Sequence, residues 1–157
     1  MNLILNYVNK KDFLGFKLTD EQKQVLNWSN DSNDITFNFN SRQSGKTTAG
    51  ILKALKLGLE NPKEKILLCS RVYHGSKYSL NLAASILDLQ GINYKMTLNS
   101  ITLDNGSIIE FKGINMDIIG NRYRHAICDE VYNTETCQKI RQAVLHSEGT
   151  IYKIEQV

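Results

Sequence analysis

Between Asn40 and Thr47 the chain reads Asn-Ser-Arg-Gln-Ser-Gly-Lys-Thr, and the residue types and their spacing suit the binding of phosphate. A concave run of backbone amides, followed at once by a helix N-terminus with its partial positive charge, collects an anion without any cationic side chain. Gly45 lets the main chain approach the ligand, Lys46 reaches the outer phosphates, and the Thr47 hydroxyl suits a hard divalent cation. The frame is that of the phosphate loop G-x-x-x-x-G-K-[ST], with Asn40 where the first glycine should stand. Asn enters left-handed conformations more readily than most residues, so the replacement is workable. Ser41, Gln43, Ser44, Gly45, Lys46, Thr47 and Thr48 are the expected nucleotide-contacting residues of this loop.

A second group closes the apolar run His125-Ala126-Ile127-Cys128, where Asp129 and Glu130 are adjacent carboxylates. Asp129 suits the holding of Mg2+ through water, and Glu130, one residue on, suits a general base that polarises an attacking water. Two acids at a strand end also fit the first turn of a helix, where the dipole favours negative charge. With a phosphate loop in the same chain, they read as the second half of one site. That site would bind ATP and Mg2+, with Thr47 and Asp129 on the metal and Lys46 and Glu130 catalytic.

Such residues must be held by a frame, and the chain supplies the signals for one. Thr19-Asp20-Glu21-Gln22 is a capping box that starts an amphipathic helix running to about Trp28, before a polar turn over 29–33. Ile35 to Phe39 alternates apolar and polar residues as a strand does. From Gly45 to about Glu60, Ala49, Leu52, Leu55 and Leu59 recur at helical spacing until Asn61-Pro62 stops them. Ile66 to Ser70 reads as a strand covered on both faces. Tyr78 to Leu89 is helical in period, with Gly91 as its break. Asn105-Gly106, between Ser100–Asp104 and Ser107–Phe111, is a strong hairpin signal. His125–Cys128 is a further buried strand, Glu135–His146 a helix, and Thr150 to about Glu155 a last strand. Strands alternating with helices predict an α/β domain around a mainly parallel sheet, with an inserted β-hairpin.

The chain of 157 residues is long enough to bury a core without metal or disulfide support. Its three cysteines, Cys69, Cys128 and Cys137, show no C-x-x-C spacing and suit neither a zinc site nor a disulfide framework. A net charge of +3, from 19 basic against 16 acidic residues, is mild beside the basic stripe of a dedicated DNA-binding domain. No apolar stretch approaches the roughly 20 residues of a membrane span. The first six residues lack the basic flank of a signal peptide, so no membrane association and a cytoplasmic location are expected.

Three segments together carry a resemblance: Ser41-Arg42-Gln43-Ser44-Gly45-Lys46-Thr47, then Ile101-Thr102-Leu103-Asp104-Asn105-Gly106-Ser107, then Ile119-Gly120-Asn121 leading into Asp129-Glu130. In order and approximate spacing they resemble the ATPase domain of large terminases, the genome-packaging motors of tailed bacteriophages, over nearly the whole chain. The resemblance implies a three-layer P-loop NTPase fold, Walker A and Walker B motifs, and a single ATPase domain over 1–157. It also implies that Arg42 acts in cis on the γ-phosphate, and that Phe16-Lys17-Leu18 and Gln22 form an adenine-binding element. Gln22 is equally a member of the capping box, and one side chain serves only one of these roles well. Implied partners are double-stranded DNA, the phage portal or other packaging subunits, and further copies of the chain in a homo-oligomer, in the host cytoplasm.

The chain also departs from that family. The Ser/Thr-rich coupling motif expected after the acidic pair is missing from Thr150-Ile151-Tyr152-Lys153-Ile154, Ile119 stands where Arg is frequent, and a C-terminal nuclease has no room. Arg122, Arg124 and Arg141 are candidates for a finger reaching a neighbouring subunit's site, or are simply solubilising charge. Tyr123, between two arginines, is a candidate stacking platform for a base. Two functions therefore compete: an ATP-hydrolysing motor subunit, and a nucleotide-binding assembly or regulatory protein with little turnover. A small-molecule kinase is weakened by the lack of an Arg-rich lid.

Overall fold

The structure, a computed structural model, describes residues 18–28, 34–40, 45–71, 73–114, 116, 118, 121–145 and 149–156. In chain order its elements are α1 (Asp20–Asn27), β1 (Asp34–Phe39), α2 (Lys46–Glu60), β2 (Lys65–Ser70), α3 (Tyr73–Gln90), β3 (Tyr94–Met96), β4 (Ser100–Leu103), β5 (Ile108–Gly113), β6 (His125–Asp129), α4 (Thr134–Leu145) and β7 (Ile151–Gln156). The strands form a seven-stranded sheet in the order β1-β7-β6-β2-β5-β4-β3. From β1 through β5 neighbours run parallel, and β4 and β3 add an antiparallel edge. The mainly parallel α/β sheet with a hairpin insertion is therefore present, and β3 extends the hairpin by a strand too short to show a period.

Side-chain alternation along the central strands divides the core in two. Ile66 and Leu68 of β2, Ile127 of β6 and Ile154 of β7 pack with residues of α1, α2 and α3. Leu67, Cys69, Ala126, Cys128 and Ile151, on the opposite face, pack with Ile140, Ala143 and Val144 of α4. Both faces are covered, which is why β2 and β6 read as continuous apolar runs rather than alternating ones. The result is three layers, helix on sheet on helix.

Local chemistry fixes the ends of these elements. The Thr19 hydroxyl accepts from the Gln22 amide at 3.1 Å while Gln22 Oε1 accepts from the Thr19 amide at 2.8 Å, completing the capping box. In the β4–β5 turn Gly106 takes φ +85°, a conformation L side chains rarely adopt, and Asn105 Oδ1 accepts from the Ser107 amide at 3.0 Å. The Asn105 side chain does more than turn the chain: its Nδ2 donates to the Gly58 and Leu59 carbonyls at 2.9 and 3.2 Å, closing the C-terminus of α2. Among the described residues no helix is long and apolar enough to cross a membrane.

Candidate active site

β1 ends at Phe39 and α2 begins at Lys46, so Asn40 and Gly45 lie at the C-terminal edge of the sheet, where ligands of parallel α/β folds bind. Ser41, Arg42, Gln43 and Ser44 fall outside the described residues, as do Phe16 and Lys17; both flanks of the loop are described. Gly45 is the N-cap of α2 at φ +79°. That conformation is one L side chains rarely adopt, and a Cβ there would also push aside the Gln22 amide that bonds the Gly45 carbonyl. Lys46 is the first residue of α2 and is buried, and Thr47 and Thr48 follow on the same turn.

Helix α1 holds both flanks. The Asn40 amide donates to the Glu21 carboxylate at 3.3 Å, and Gln22 Nε2 donates to the Gly45 carbonyl at 3.1 Å. Of the two roles expected for Gln22 the capping box is present, and the same side chain makes a further bond: its Oε1 completes the cap while its Nε2 tethers Gly45, because a side-chain amide has an acceptor at one end and donors at the other. Glu21 was not foreseen, since a first-turn acid is explained by the helix dipole alone.

Across the site, β6 delivers the acidic pair. Thr47 Oγ1 donates to Asp129 Oδ2 at 2.9 Å, joining residues from the start of α2 and the end of β6. Burial pushes the Asp129 carboxyl above its ordinary value and neighbouring Glu130 adds to this, while the Thr47 hydrogen bond and the Lys46 charge oppose it. Asp129 Oδ1 is buried without a hydrogen-bond partner among the described residues. An orphaned carboxylate oxygen beside a threonine hydroxyl fits Mg2+, which takes one or two protein oxygens and completes its shell with phosphates and water. Among the described residues no group of three or more His, Cys, Asp or Glu could hold an ion. Glu130 has φ +54°, and its amide donates to the Ile154 carbonyl at 2.9 Å, which fixes the residue where β6 leaves the sheet.

The sequence reading missed Ser70. It ends β2 in register with Asp129, is 4% exposed, and its Oγ finds no hydrogen-bond partner among the described residues. A serine at a strand end belongs to no motif, so only the register could reveal it.

Three candidates lie elsewhere. Arg122 and Arg124 precede β6, and Arg141 on α4 is paired with Asp34 at the start of β1. All three are at the N-terminal edge of the sheet, a strand length of about 16 Å from the acidic pair, so none serves this chain's own site. Tyr123 is fully buried in the core beneath α4 and cannot stack on a base. Cys69, Cys128 and Cys137 are free thiols, with burial pushing Cys69 up to about 12.

The arrangement has known counterparts. The large terminase ATPase domain of Thermus phage P74-26 superposes with a TM-score of 0.74 at 14% identity, covering 92% of this chain and 66% of that one. The HK97 bacteriophage large terminase gives 0.75 at 17%, covering 98% and 36%. The large terminase of a thermophilic bacteriophage, in complex with ADP, gives 0.69 at 14%, covering 87% and 38%. At these identities the likeness is one of fold, and the chain spans well under half of the two longer proteins. No curated protein matches the sequence. The family model for the terminase large subunit, T4likevirus-type, N-terminal, matches residues 39–154, from the strand end before the phosphate loop through the acidic pair and into β7. A match of that extent, over the same residues that build the site, places this chain in the terminase large-subunit family, T4likevirus-type, N-terminal part.

Proposed function

We propose that residues 1–157 act as a single ATPase domain that binds ATP with Mg2+ and hydrolyses it to ADP and phosphate, as the nucleotide-consuming half of a genome-packaging motor. The observation that carries this reading is the 2.9 Å hydrogen bond from Thr47 to Asp129, which brings the phosphate-loop helix and the acidic strand into one site. The thermophilic bacteriophage's large terminase, in complexes with ADP and with ATP-γ-S, supports a nucleotide ligand.

In this reading the amides of 41–45 and the Lys46 ammonium bind the phosphates, and Thr47 and Asp129 hold Mg2+. When bound, the cation neutralises charge on the β- and γ-phosphate oxygens. Glu130 accepts the proton of the attacking water as its oxygen bonds the γ-phosphorus and the bond from that phosphorus to the bridging oxygen breaks, leaving ADP, and Arg42 supports the charge spread over the transferring group. Gln22 contacts the nucleotide from α1 with the donor capacity its cap and tether leave over. Double-stranded DNA and the phage portal are the proposed partners, with further copies of the chain as neighbours in a ring. The host cytoplasm is the proposed location, and no nuclease activity is assigned to this domain.

Steady-state phosphate release with Mg2+ and ATP, with and without double-stranded DNA, tests the proposal. Turnover that DNA stimulates is expected. Tight ATP binding without turnover would instead favour the regulatory reading, which the absence of a Ser/Thr-rich motif on β7 keeps in view. A folded Lys46→Ala variant should lose binding or turnover. Arg42→Ala should lose about 10³-fold in turnover while ATP affinity changes by less than about tenfold, because a guanidinium there is worth most in the transition state.

A further inference from the structure

Two buried polar atoms at the C-terminal edge of the sheet have no hydrogen-bond partner among the described residues and lie on neighbouring strands: Ser70 Oγ on β2 and Asp129 Oδ1 on β6. Ser70 and Asp129 are Cα partners in the parallel register, so their side chains leave the same face of the sheet. That face is the one under α2. Leu68 and Ile127, one step back along the same face, belong to the core beneath α1, α2 and α3, and Thr47 of α2 contacts the other oxygen of Asp129.

Burying a hydroxyl or a carboxylate oxygen unpaired is costly, and native cores hold few such atoms. Here two occur side by side, and neighbouring strands are about 4.8 Å apart. The two atoms are not bonded to each other, and side chains rooted at that spacing can be bridged by one water making two bonds of about 2.8 Å. Asp129 can only accept and Ser70 can donate or accept, so a water between them satisfies both groups at once.

We propose that Ser70 is a positioning residue for the metal: its hydroxyl and Asp129 Oδ1 share a water that belongs to the hydration shell of Mg2+ in the nucleotide-bound state. The inference rests on the ATPase reading above and extends it to a residue no motif contains. Mg2+ sheds its waters reluctantly and is commonly held through them, so a group that orients such a water changes metal affinity without touching the ion.

The test is calorimetric titration of ADP into the full chain at a series of Mg2+ concentrations, for wild type, Ser70→Ala and Ser70→Thr, with the melting temperature of each unliganded protein. Ser70→Ala should raise the Mg2+ concentration needed for half of the tightening of ADP binding by roughly tenfold or more. Its metal-free ADP affinity should stay within about twofold, and its melting temperature should not fall, because removing an unpaired hydroxyl removes a cost. Ser70→Thr should restore the wild-type Mg2+ dependence. Unchanged Mg2+ dependence in Ser70→Ala overturns this proposal alone. An equal loss of ADP affinity with and without metal also overturns it, making Ser70 a structural group. A wild-type chain whose ADP binding ignores Mg2+ overturns the ATPase reading as well.

Discussion

Glu130 is a non-glycine residue in left-handed backbone, at φ +54°. That conformation costs on the order of 1–2 kcal/mol for a side chain with a Cβ, and the hydrogen bond from its amide to Ile154 helps to hold it. Strain of this kind is tolerated where a carboxylate must stand at one place. On the proposed function, Glu130→Gln should bind ATP with Mg2+ as the wild type does and turn it over at least ~100-fold more slowly, because the shape remains and the proposed base is gone. Glu130→Gly should be equally slow and at least as resistant to urea, since glycine relieves the backbone; single-turnover assays and urea midpoints check the pair. The placement of Lys46, Thr47, Asp129 and Glu130 at the start of α2 and the end of β6 was legible because such residues recur at fixed offsets from glycine or from a strand end. Ser70 and the second bond of Gln22 were not, because both depend on neighbours distant in the chain.

At the scale of elements, α1 is fastened at both ends. Its N-terminal turn grips the phosphate loop through Glu21 and Gln22, and its C-terminal carbonyls are closed by two lysines of α2. Lys53 Nζ donates to the Trp28 and Leu26 carbonyls at 2.7 and 3.3 Å, and Lys56 Nζ donates to Leu26 at 2.9 Å. Burial lowers Lys53 to about 8, with the Lys56 charge adding to the effect, and its ammonium lies 4.7 Å from the centre of the Tyr152 ring. α1 has no basic residue of its own in its last turn, so α2 supplies the charge that the helix dipole favours there. Lys56→Met should cost no more than about 1 kcal/mol, because Lys53 still satisfies the buried Leu26 carbonyl, and Lys53→Met should cost more, because it also frees the Trp28 carbonyl. The double variant should cost clearly more than the sum, a coupling that a urea double-mutant cycle detects. From sequence, two lysines three residues apart on a helix read as a solvent face. Caps, breaks and apolar periods made the helices legible, although α3 starts at Tyr73, before the periodic stretch does, and the three-residue β3 carried no period to read.

For the molecule as a whole, stability should depend on acid through a group far from the site. His125 begins β6, its Nδ1 accepts from the Thr150 amide at 3.0 Å, and its ring lies 6.2 Å from that of Tyr152. Burial, with the charges of Arg124 and Lys53 adding to it, lowers His125 to about 4, against an ordinary 6.5. Between those values the unfolded chain binds the proton and the folded one does not, so this contribution is intact above about pH 6.5 and is lost as pH falls towards 4. Urea midpoints should therefore drop between about pH 7 and pH 5, and His125→Gln should flatten part of that drop. The architecture was legible from alternating strand and helix signals, whereas the strand order was not, because no residue of β7 announces that it will lie between β1 and β6. That order has a kinetic consequence. Within the described sheet β1 pairs with β7 alone, so the strand leading into the phosphate loop is seated by residues near the opposite end of the sequence. Closing so long a segment is slow, and during synthesis the partner leaves the ribosome long after β1 does. Under the proposed function the capacity to hold a phosphate therefore matures late in folding, because a chain released before β7 lacks the neighbour that seats β1.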